Sequence, residues 1–81
     1  MNDAQVSLLR GINVGRANRI GMADLRAVYV QLGCRDVTTY VQSGNVILVS
    51  ADSPDELSPQ VETALEVQHG LMVRVLGRMH A

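Results

Sequence analysis

The sequence predicts an α+β fold in which a four-stranded antiparallel sheet carries two helices on one face. Three observations predict it. Short β-rich runs fall at Val6–Val14, Val37–Val41, Val46–Val49 and Leu71–Leu76. Between them lie two stretches whose apolar residues recur at helical spacing. The resulting order, βαββαβ, contains one tight hairpin and two crossovers, which together give the ferredoxin-like split βαβ sandwich. The 81 residues form a single domain, with no repeat and no linker.

The first strand, "VSLLRGINV", is rich in Leu and β-branched residues and runs into Gly15. Met22, Leu25, Val28, Tyr29 and Leu32 then make one apolar stripe along a helix, with Asp24 at its positive end and Gly33 as its stop. Gln42-Ser43-Gly44-Asn45 separates the next two strands, and its Gly and Asn tolerate the positive φ of a hairpin turn. Ser53-Pro54-Asp55-Glu56 reads as a capping box with proline at the first helical position. Pro59 lies a turn further on, so the helix either begins at Ser53 or restarts at Ser58-Pro59. Leu57, Val61, Ala64 and Leu65 supply its apolar side, and Gly70 ends it.

The last strand alternates Leu71, Val73, Val75 with Met72, Arg74, Leu76, so both of its sides carry apolar groups. Leu8 and Leu9 are adjacent in the first strand and point to opposite faces. The face without helices is therefore expected to pack on something. A homodimer through this open face is one expectation and a missing second half the other, with Leu9 and Met72 as the positions where a charge would break the contact.

Apolar residues make up 47% of the chain, Phe and Trp are absent, and the core must be aliphatic. The net charge of −1 gives no overall attraction to nucleic acid or to an anionic membrane. All the basic residues are arginines. Arg10, Arg16 and Arg19 cluster in one window, and Asp52, Asp55, Glu56, Glu62 and Glu66 in another. Cys34 is the lone cysteine, and no run approaches the length of a membrane span, which together suit the reducing cytoplasm.

The segment from Gly15 to Gly21 leads from a strand into a helix N-terminus, where free backbone N–H groups favour an anion. Arg16 and Arg19 offer forked hydrogen bonds to phosphate or carboxylate. The same residues suit a plain solvated connection, and neither a P-loop nor a dinucleotide fingerprint is present. Arg10 and Asn13 lie within the strand, where an edge position, an acidic partner or a ligand would each account for them.

"LLRGINVG", "NRIGMADL" and "TYVQSGN" resemble the bacterial family known as domain of unknown function 1697, with its LLRGINVGG-type start and T-Y-x-Q-S-G-N hairpin. The likeness runs from Val6 to about Leu76 and corresponds to the N-terminal half of longer members. It implies ferredoxin-like architecture and no assigned activity. It also implies that the loop and the hairpin form one signature, placing Arg10, Gly11, Asn13, Gly15, Asn18, Met22, Tyr40, Gln42, Ser43, Gly44 and Asn45 at motif positions. Arg16 departs from the pattern, standing where a second glycine is usual.

His69, His80 and Cys34 have no metal-ligand spacing, Ser43 lacks a nucleophile context, and no carboxylate pair lies near the loop. No catalytic residue, metal or cofactor is expected. RNA-recognition modules share this element order but stack bases on aromatics in their central strands, and the corresponding strands here have none. The expectation is a small cytoplasmic binding module. Its ligand, small and anionic or polar, would contact Arg10, Asn13, Gly15, Arg16, Asn18, Arg19, Gln42, Ser43 and Asn45. A dimerising structural domain, or a truncated remnant without activity, is the alternative.

Overall fold

A computed structural model describes residues 4–12, 19–40 and 43–80. Its elements follow the expected order: β1 (Ala4–Arg10), α1 (Met22–Gln31), β2 (Arg35–Tyr40), β3 (Asn45–Val49), α2 (Pro54–His69) and β4 (Arg74–Met79). The strands form one antiparallel sheet in the order β2-β3-β1-β4, with β1 inside it. Both helices cover one face, and the architecture is ferredoxin-like.

Alternation along the strands sorts residues between the two faces. Leu9 of β1, Val46 and Leu48 of β3 and Val75 of β4 are buried against Leu25, Val28 and Tyr29 of α1 and Leu57, Val61 and Leu65 of α2. Ala4, Val6, Leu8 and Arg10 point the other way. Leu9 is therefore core and Leu8 is the outward leucine, correcting the expectation that Leu9 faces a partner. Met22, expected on the stripe of α1, is 59% exposed, because the burial begins one turn later at Leu25.

The last strand starts later than its sequence pattern indicates. Leu71 and Val73 are buried, but the ladder with β1 begins at Arg74 opposite Arg10 and continues to Met79 opposite Gln5. Burial alternation set the expected range of 71–76, whereas the reach of β1 sets the hydrogen-bonded one. Met72 thus precedes β4.

The capping box forms as expected: Ser53 Oγ accepts from Glu56 N–H and Glu56 Oε1 accepts from Ser53 N–H. The helix is continuous through Pro59, so the second start at Ser58 does not occur. The Ser58 hydroxyl donates instead to the Pro54 carbonyl at 2.8 Å. That bond holds Ser58 under β4, where a Cβ at Gly77 would come within 2.8 Å of Ser58 Oγ and 3.0 Å of Pro54 Cβ. Gly77 lets the first turn of α2 lie directly on the strand.

Candidate functional site

The two signature segments meet at one end of the sheet. β1 delivers Arg10 and Gly11 there, and the β2–β3 turn folds back onto the same point. Leu9 N–H donates to the Gly44 carbonyl at 2.7 Å. A Cβ on Gly44 would lie 2.6 Å from the Leu9 carbonyl oxygen, and the Gly44 φ is +71°. Only glycine meets both demands, the left-handed backbone and the contact. Ile12, just beyond β1, is buried against the same turn.

Within the turn, Ser43 N–H and its hydroxyl both donate to the Tyr40 carbonyl at 3.2 Å. Asn45 Nδ2 donates to Ser43 Oγ at 3.2 Å. Both side chains are therefore used to shape the turn, the role that turn chemistry alone gives them. Asn45 is also the register partner of Leu8, so it sits on the open face two positions from Arg10. Arg10 in turn faces Arg74 across the β1–β4 ladder, and both are exposed. Two guanidinium groups at directly opposed positions bring positive charge to this corner, and Arg74 also borders a depression that Glu62 and Glu66 line.

Of the expected site residues, Arg10, Ser43 and Asn45 are thus brought together. Arg19 lies on the approach to α1, in a shallow depression it shares with Ile20, Gly21, Asp24 and His69. Its surroundings therefore include a carboxylate. Asn13, Gly15, Arg16, Asn18 and Gln42 lie outside the described residues. Arg74, which the sequence names only in the alternation of the last strand, is the residue that the sheet adds beside Arg10.

Reactive chemistry finds little support among the described residues. Burial pushes the Cys34 thiol up; Ser50 draws it partly back and the Asp52 charge raises it further. This is the reverse of what a nucleophile needs. Burial also raises the Tyr29 phenol well above its ordinary range, Ser7 working against it and Cys34 with it. The Ser7 side chain is near enough to lower it, but among the described residues the enclosed hydroxyl meets no partner in full hydrogen-bonding geometry. No group of three or more His, Cys, Asp or Glu among the described residues is placed to hold a metal ion. No helix among them is long and apolar enough to cross a membrane.

An α+β domain whose first strand ends against the β2–β3 turn is the class this geometry defines. The chain belongs to the DUF1697 family, described as a protein of unknown function, whose model matches residues 2–81. Its fold is similar to that of a conserved bacterial protein from Streptococcus pneumoniae, at 34% identity and a TM-score of 0.75. The match covers 95% of this chain and 44% of that one, so the chain spans less than half the length of this relative. No curated protein matches it.

Proposed function

We propose that the chain is a cytoplasmic binding module, holding a small anionic or polar ligand where β1 ends. The observation that carries this reading is the backbone contact between Leu9 and Gly44, which ties the turn to the strand end and fixes Arg10, Ser43 and Asn45 around one rim. Arg10 and Arg74 supply planar donors suited to carboxylate or phosphate. The motif residues Asn13, Gly15, Arg16, Asn18, Arg19 and Gln42 belong to the same proposal through their places in the signature. Calorimetric titration with inorganic phosphate, AMP and citrate tests it. Heat of binding in the wild type that disappears in Arg10→Ala/Arg74→Ala and in Arg16→Ala/Arg19→Ala supports the reading, and identical responses in all three proteins reject it.

A second reading rests on a different observation. Leu8 and Leu76 are register partners on the open face and are 37% and 47% exposed. Two opposed leucines at the middle of an uncovered sheet are what an interaction surface requires. A second copy of the chain is the occupant that exposure alone suggests, forming a homodimer. The charges around the leucines point elsewhere.

A further inference from the structure

We infer that the open sheet face docks a polypeptide surface that is apolar at its centre and ringed by carboxylates, in preference to a second copy of this chain. The inference rests on reading that face as an interaction surface and adds the chemistry of its partner.

Register fixes what the face presents. Val6 lies opposite Ile47 and Leu8 opposite Leu76, with Val49 opposite Ala4, so aliphatic side chains run across the central strands. A groove over them is lined by Val6, Leu8, Asn45, Leu76, Gly77 and Arg78. Arginines stand around this patch. Arg10 and Arg74 are opposed at one corner, Arg78 lies opposite Val6 on the outer strand, and Arg35 lies opposite Val49 on the far strand. No carboxylate occupies a register position on this face among the described residues. Of the described acids, Asp24 is on α1, Asp52, Asp55, Glu56, Glu62 and Glu66 are on α2 and its approach, and Asp36 alone is in a strand, exposed beside Arg35 in the irregular stretch of β2.

That distribution decides between occupants. Packed sheets lie roughly 10 Å apart, close to the distance of about 8 Å over which physiological salt screens charge. Two copies meeting face to face would set both arginine rims against each other across an apolar seam, and like-charge juxtaposition at an interface costs several kcal/mol. A carboxylate-rimmed surface turns the same charges into attraction and keeps the apolar centre. Nucleic acid would satisfy the arginines but not the centre. Single-strand binders stack bases on aromatic rings, whereas β1 and β3 have none and Tyr40 stands on the outer strand β2. A family member has chain to spare for such a cover, since the pneumococcal protein has more than half its length outside the 44% that is matched.

The test uses two synthetic 18-residue amphipathic helices sharing one leucine stripe, flanked by glutamates in one and by lysines in the other. Each is titrated into the whole chain while the methyl resonances of Val6, Leu8, Ile47 and Leu76 are followed. The expected result is at least tenfold tighter binding of the glutamate peptide, with shifts at these methyls and a preference that fades in 1 M salt. Arg35→Glu/Arg78→Glu, which leaves the Arg10–Arg74 corner intact, should reverse the preference. Equal affinity for the two peptides overturns the charge inference and leaves the interaction surface standing. Binding of neither peptide removes both. Sedimentation of the wild type as a dimer at micromolar concentration, or displacement of the glutamate peptide by a single-stranded RNA 12-mer, also overturns the inference.

Discussion

The Glu62 carboxylate of α2 accepts a 2.8 Å hydrogen bond from the backbone N–H of Val75 in β4. Among the described residues β4 pairs with β1 alone, so this N–H points outward from a sheet edge, and the helix closes it. On the opposite edge strand, Arg26 Nε of α1 donates to the Val37 carbonyl at 3.3 Å, in the irregular stretch between Arg35 and Thr38. Each helix thus occupies a backbone group of the outer strand beneath it. Unpaired edge groups invite association with other chains, and these side chains answer part of that exposure.

Glu62→Ala is expected to lower stability by about 1 to 2 kcal/mol, the cost of leaving a partly buried donor unmet. Urea denaturation measures the loss, and light scattering of the variant should show faster aggregation. Glu62→Gln, which keeps an acceptor oxygen, should recover most of the stability.

Gly44→Ala is expected to be among the most damaging single changes in the chain. It places a methyl 2.6 Å from the Leu9 carbonyl and forces a φ of +71° on a residue with a side chain. A loss of about 2 kcal/mol or more follows from strain and clash together. The readout is the thermal midpoint, with amide exchange of Leu9 N–H increasing before the rest of the sheet.

Ser53→Ala removes one half of the capping box and should cost about 1 kcal/mol. In a domain of this size that amounts to a drop of roughly 4 to 8 °C in Tm. The bond between the Ser53 N–H and the Glu56 carboxylate holds the Glu56 pKa below its ordinary value, with the Ser53 side chain adding to the effect. A depressed folded-state pKa stabilises above the unfolded value of 4.5 and is lost as pH falls through the folded one. The midpoint of Glu56→Gln should accordingly depend less on pH below 4.5 than that of the wild type, as calorimetry across the acid range will show.

Tyr29→Phe is expected to leave stability unchanged or raise it by up to about 1 kcal/mol, because among the described residues the enclosed hydroxyl makes no well-formed hydrogen bond. Its alkaline behaviour gives a second check. Burial raises the folded-state pKa above the ordinary value of 10.0. The associated stability is therefore complete below pH 10 and declines above it, as the unfolded chain ionises first. Denaturation midpoints between pH 9 and 11 should fall less steeply in Tyr29→Phe than in the wild type.

Much of this architecture was legible in the sequence because its punctuation is local. The capping box at Ser53, Gly33, Gly70 and the Ser43–Asn45 turn each act through residues within a few positions. They predicted the elements in order. What escaped was non-local. Which of Leu8 and Leu9 faces the helices depends on strand pairing, and the start of β4 at Arg74 depends on where β1 can reach it. The opposition of Arg10 and Arg74, the part of the site nearest to charge chemistry, joins residues 64 positions apart and is set only by the sheet.

Among the described residues, most acids lie on the helices and their approaches while Arg10, Arg35, Arg74 and Arg78 lie on the open strands, with Arg19, Arg26 and Asp36 as exceptions, so this nearly neutral chain has two poles of unequal charge. Its behaviour toward charged matrices follows from its two poles and not from its net charge of −1. At low ionic strength it should adhere to sulfonate resin by one pole and to quaternary-amine resin by the other, presenting opposite sides of the molecule to the solution.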